Sequence, residues 1–154
     1  MSKFFLLLLI LSISSLSYEQ TLRETTFCEV SNSQIQNKAR GLKKSSTLET
    51  AKHIFSFVQV DIKYESYSNT KKGAVRTLNE RKGNCADQAH LLVALLRADG
   101  IPTCYAHGTD HWWVVPCIDG KQYHCDPTNK KHDFGNPNHG NKHPKVELFN
   151  ELNH

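Results

Sequence analysis

The chain has 154 residues and a formal charge of +4, from 19 Lys and Arg against 15 Asp and Glu. That length suits one domain around one core. The positive charge is too diffuse for a nucleic-acid-binding stripe, and no apolar run reaches the roughly 20 residues of a comfortable membrane span.

Met1 to Ser17 combines a basic start at Lys3, an apolar run from Phe4 to Ile13, and small residues Ser15 and Ser17 where a signal peptidase needs them. Residues 1–17 therefore read as a signal peptide cleaved near Ser17-Tyr18, which predicts a secreted or cell-wall-associated protein with no stable membrane insertion. An uncleaved anchor is the alternative. Beyond it, a short helix is expected from Asn32 to Leu42 around Ile35 and Ala39. Ser46-Thr-Leu-Glu49 has the form of a capping box, and Leu48, Ala51, Ile54, Phe55 and Val58 recur on one helical face. Tyr64, Tyr67 and Asn69 fall in the connection that follows, either lining a cleft or simply exposed.

From Ala86 to Arg97 the apolar residues Ala89, Leu92, Val93 and Leu96 keep helical spacing, widened by Leu91 and Leu95; Gly100 and Pro102 end the helix. Cys85 thus falls at the helix N-terminus, where unpaired N–H groups and the helix dipole favour a thiolate. The alternative is a structural cysteine capping a core helix. Asp119-Gly120 reads as a two-residue hairpin turn. With Ile118 opposite Lys121, Trp113 faces Asp126 and His111 faces Thr128. His111 and Asp126 then share a face as diagonal neighbours, about 7–8 Å apart at the backbone. That places a thiol, an imidazole and a carboxylate in the order of nucleophile, base and orienter. Pro116 lacks an N–H donor, so its strand lies at an edge or carries a bulge that would turn Asp126 to the other face.

The stretch from Gly73-Ala-Val-Arg-Thr-Leu through Gly83-Asn-Cys-Ala-Asp-Gln-Ala-His-Leu-Leu, with Tyr105-Ala-His-Gly, His111-Trp-Trp and Asp126-Pro-Thr, resembles the transglutaminase-like cysteine peptidases. Within them it is most similar to the archaeal pseudomurein endoisopeptidases, through Tyr64 to Ala74, the Asn84-Cys85 pair and Phe134-Gly135. The resemblance covers roughly residues 27 to 137. It implies an α+β fold with a papain-like and transglutaminase-like core, a helical N-terminal half packed on a small antiparallel sheet. It also implies roles for Cys85 as nucleophile, His111 as base and Asp126 as orienter. The expected activity is cleavage of peptide or isopeptide bonds through an acyl-enzyme, with a peptide or cell-wall polymer as substrate. No cofactor, no metal, no nucleic acid and a monomeric state are expected. A transamidase or deamidase using the same three residues is the alternative.

The catalytic domain is read as residues 18–135, followed by a loose His- and Asn-rich tail over 136–154 with a helical fragment at Val146 to Leu152. Five cysteines leave at least one unpaired, and a catalytic thiol accounts for the odd number. Cys104 with Cys125 is the expected disulfide, all five reduced the alternative. His107, His111, His124, His132, His139 and His143 also raise a metal-binding reading, and a catalytically inactive wall-binding module that keeps the fold is a further alternative. No Cys-x-x-Cys or His-Glu-x-x-His spacing supports the metal.

Overall fold

The computed structural model describes residues 20–153; the signal peptide expected over residues 1–17 lies outside them. Among the described residues, four helices of eight residues or more precede a four-stranded antiparallel sheet. Helix α1 is Ser33–Leu42, capped by the Asn32 side chain accepting from the Gln34 N–H at 2.9 Å. Helix α2 is Thr47–Asp61. Ser46 accepts from the Glu49 N–H at 3.2 Å, while the Glu49 carboxylate binds Lys52. Strand β1 (Lys63–Tyr64) pairs in parallel with β2 (Lys82–Gly83), and α3 (Gly73–Glu80) lies between them.

Helix α4, Cys85–Ala98, is the centre of the fold. Helices α1, α2 and α3 and strands β3 and β4 all pack on it, which explains why every residue from Ala86 to Arg97 is buried. A one-sided apolar stripe would not suffice in that position, and Leu91 and Leu95 extend the apolar surface beyond it. The helix ends in a Schellman motif: Ile101 N–H donates to Leu96 C=O at 3.0 Å and Gly100 N–H to Arg97 C=O at 2.9 Å, with Gly100 at a φ of +77°.

Strands β3 (Thr103–His107), β4 (Trp112–Ile118), β5 (Lys121–Gln122) and β6 (Glu147–Phe149) form the sheet in the order β5-β4-β3-β6. The Asp119-Gly120 turn has positive φ at both residues, as a type I′ hairpin requires. Its register is the expected one, Ile118 with Lys121 and Cys117 with Gln122, continued by a Val114–Cys125 bridge. Pro116 causes no slip. Its carbonyl accepts from Tyr123, so the side of β4 that lacks a donor faces the short β5 edge rather than β3.

Two expectations are corrected. All five cysteines are free. Cys125 lies opposite Val114, which lies opposite Tyr105, whereas Cys104 lies opposite Val115; alternation along the strands therefore puts Cys104 and Cys125 on opposite faces. The stretch from Val146 to Leu152 holds no helix. Its residues 147–149 form β6 against β3, and Leu152 is buried in the core. Pairing along a free strand edge prevails there over local helical spacing.

Candidate active site

The site forms where the N-terminus of α4 meets the end of the sheet. Asn84 caps the helix, its side-chain oxygen accepting from the Asp87 N–H at 2.9 Å. Its amide donates to the carbonyls of Tyr67 and Asn69 at 3.1 and 2.8 Å, so one side chain holds both the helix start and the loop beside it. Asp87, one turn into the helix and fully buried, completes the clamp. Thr70 donates to it at 2.5 Å, Tyr67 through its hydroxyl, and the Lys71, Lys72 and Gly73 N–H groups at 3.0–3.2 Å. Burial works to raise the Asp87 pKa, but the bonds from Thr70, Tyr67 and the backbone outweigh it and the net shift is downward.

His111 follows a tight connection in which Gly108 N–H donates to His111 C=O at 3.0 Å and Asp110 takes a φ of +50°. This fixes the β3–β4 register, with His107 opposite Trp112. The His111 ring stacks on Trp113 at 5.9 Å and on His143 at 5.6 Å. Its Nε2 lies 2.6 Å from Asp126 Oδ2, and Cys85 neighbours its ring closely enough to favour the imidazolium. Burial alone would lower the His111 pKa. The bond to Asp126 and the neighbouring Cys85 sulfur, both favouring the imidazolium, raise it to about 9. Asp126 is fully buried, and burial would raise its pKa; bonds from His111, Thr128 and His139 instead hold it well below the usual carboxylate range. The Thr128 hydroxyl and N–H donate to Asp126 Oδ1 at 2.6 and 3.1 Å, leaving Oδ2 for the imidazoles.

All three residues singled out in the sequence thus meet here, with Asp126 on the face of His111. A cavity of about 570 Å³ opens over Cys85, lined by Tyr64, Tyr67, Asn84 and Trp112 among others. A second, of about 310 Å³, opens over His111 and Asp126, and Tyr64 lines both. This chemistry suits acyl transfer: a thiol at a helix N-terminus, an imidazole in contact with it, and a carboxylate behind the imidazole.

Sequence reasoning did not find the role of Asp87, nor that His139 shares Asp126. His139 Nε2 lies 2.7 Å from Oδ2, and His132 Nδ1 3.3 Å from it. His143 accepts from the Thr109 N–H at 3.0 Å. The composition of the tail signalled histidines, but only the fold brings them onto Asp126. His107 stacks on Trp112 at 4.3 Å and is not in this cluster; His124 accepts from Trp113 Nε1 at 3.0 Å.

Residues 34–128 match the transglutaminase-like superfamily. An uncharacterized protein of Mycobacterium tuberculosis is 37% identical over 68 residues, covering 44% of this chain and 22% of its own length. Among solved structures, a candidate cysteine protease from Cytophaga hutchinsonii superposes with a TM-score of 0.65 at 22% identity, over 86% of this chain and 51% of that one. The periplasmic domain of TgpA from Pseudomonas aeruginosa gives 0.59 at 18% identity, over 73% and 46%. The chain therefore spans about a fifth of the mycobacterial protein and about half of each structural neighbour.

Proposed function

The chain belongs to the transglutaminase-like superfamily, and from that premise we propose that it is an exported thiol hydrolase acting on peptide or isopeptide bonds. Cys85 Sγ attacks the amide carbonyl carbon. The C–N bond breaks as His111 passes its proton to the leaving amine, and a thioester remains on Cys85. Water then adds to the thioester with His111 taking its proton, and the carboxylic acid and free thiol are released. Asp126 holds His111 in orientation throughout. The backbone N–H of Cys85, at the first position of α4, is the natural donor to the oxyanion.

One observation carries this reading: His111 Nε2 lies 2.6 Å from Asp126 Oδ2, and the same ring neighbours Cys85, which helps to raise its pKa. The chemistry follows from contact, since a base must lie within hydrogen-bond reach of the proton it takes. The substrate class rests on the sequence resemblance to pseudomurein endoisopeptidases, which makes cross-links of cell-wall polymers the first choice. Export rests on the composition of Met1 to Ser17. Among the described residues no helix is long and apolar enough to cross a membrane.

The test is incubation of the protein with wall polymers of several types, released amines being read by mass spectrometry. New amines from wild type and none from Cys85→Ala are expected. In parallel, iodoacetamide at mildly acidic pH should label Cys85 before the other four cysteines. Labelling spread evenly over all five would overturn the activated thiol, and amine incorporation in place of release would make the protein a transamidase.

A further inference from the structure

Acyl transfer by the proposed triad needs one imidazole on Asp126, yet the tail supplies a second to the same oxygen. We propose that His111, Asp126 and His139 form a binding site for a borderline transition-metal dication such as Zn²⁺, whose occupancy disconnects His111 from Cys85. One donor atom from each of His111, Asp126 and His139 lies within 4.8 Å of the other two. The two Nε2 atoms are 2.6 and 2.7 Å from Asp126 Oδ2. Tetrahedral zinc with ligands at about 2.0–2.2 Å sets donors roughly 3.3 Å apart, so each nitrogen–oxygen pair opens by only a fraction of an ångström, and the two nitrogens, within 4.8 Å of each other, settle to the same spacing. Two imidazoles and one carboxylate are ligands that Zn²⁺ and its neighbours in the first row accept.

The surroundings hold these ligands in place. Thr128 ties Asp126 Oδ1, so the carboxylate presents Oδ2. The His139 ring packs edge-on against Trp113 at 4.7 Å and His143 at 4.6 Å. Gln59 of α2 donates to the carbonyls of Asn129 and His132 at 2.8 and 2.7 Å, which fixes the loop on the far side. All three ligands line the cavity of about 310 Å³, which gives an ion a route in. Lys142 lines it too and opposes a dication, so a net charge of +1 on the filled site has a cation beside it.

The consequence for His111 is chemical. With Nε2 on the metal, a neutral ring carries its remaining proton on Nδ1, and the protons displaced from the two Nε2 atoms leave to solvent. That ring can no longer accept the proton of Cys85. Metal binding itself stands on the ligand geometry and does not depend on the hydrolase reading.

Calorimetric titration of the chelator-treated full chain with Zn²⁺ tests the proposal, with Co²⁺ as a spectroscopic probe. One ion per chain is expected in wild type and in Cys85→Ser. His139→Gln and Asp126→Asn, checked for folding by circular dichroism, should bind more than about 100-fold more weakly, beyond the 10–100-fold typical of outer-shell partners. Zn²⁺ should slow iodoacetamide labelling of Cys85 in wild type and leave the rate in His139→Gln unchanged. Absence of Zn²⁺ binding, equal affinity in wild type and both folded variants, or a thiolate-to-cobalt charge-transfer band would overturn the site. A site that binds zinc in a protein that releases no amines would sink the proposed hydrolysis alone.

Discussion

Asp126 is fully buried and carries hydrogen bonds from His111, His139 and Thr128, so a change of one atom there acts on chemistry and on folding together. In Asp126→Asn the amide offers an N–H where His111 needs an acceptor, which favours the wrong orientation of the ring. Turnover should fall about 10⁴-fold, as in triads where the same exchange sets the wrong tautomer. Stability should fall as well, by about 1–3 kcal/mol, because buried donors lose a charged acceptor. Steady-state kinetics and urea unfolding of the same preparation check both. Normal turnover in a folded variant would remove Asp126 from the mechanism.

At the scale of an element, the buried polar side chains of α4 include His90 and Arg97, whose burial has measurable consequences. His90 is fully buried, bonded through Nδ1 to the Tyr105 hydroxyl at 2.8 Å, and Nε2 has no partner among the described residues. Burial disfavours the imidazolium and lowers its pKa from 6.5 to about 4. The unfolded chain therefore binds the proton first. The His90 contribution to stability is complete above pH 6.5 and is lost as pH falls from there through 4, a total of about 3 kcal/mol. Asp87 and Asp126, whose pKa values are lowered, lose their contributions only below the ordinary carboxylate range. Thermal melts between pH 7 and 4 should show the slope in wild type and a shallower one in His90→Asn; what remains combines His124 and His143, both shifted down by burial, with His111, whose raised pKa acts in the opposite sense near pH 7, and with the lowered Glu80 near pH 4. An unchanged slope would mean that His90 is not buried neutral.

Arg97, in the last turn of the same helix, binds the carbonyls of Thr103, Arg23 and Asn150 with bonds of 2.5–3.2 Å. One guanidinium thus joins the helix to β3 and to the segments on either side of the domain. Lysine has a charge but no planar fork, and cannot reach three carbonyls at once. Arg97→Lys should cost about 2–4 kcal/mol in urea unfolding while leaving Cys85 labelling of the folded protein unaffected. A loss below 0.5 kcal/mol would contradict the role.

For the whole molecule, the decisive contact is that of the tail with the site. A Cβ on Gly108 would stand 2.5–2.8 Å from His143 Nδ1, Cγ and Cβ, so only glycine leaves room for that ring on the β3–β4 turn. Gly108→Ala should displace His143, lower stability by about 1–3 kcal/mol and open residues 136–146 to limited proteolysis. Mass spectrometry of the first cleavage products reads this. A tail equally protected in wild type and variant would show that β6 and Leu152 hold it without His143.

What the sequence determined by itself follows from short-range rules. The capped helices, the Asp119-Gly120 hairpin and its register, the stop at Gly100 and the place of Cys85 at a helix start depend on residues a few positions apart, whose backbone preferences act before any tertiary contact forms. The same register brought Asp126 to the face of His111. Tertiary structure decided the rest. Asp87 reads as an ordinary first-turn acid until the loop from Tyr67 to Gly73 folds over it. The Val146 to Leu152 segment has helical spacing but meets the open edge of β3, where backbone pairing satisfies groups that a lone short helix would leave to water. His139 and His143 reach Asp126 and Gly108 only because β6 returns the chain to the sheet, a contact between distant residues that no local pattern encodes.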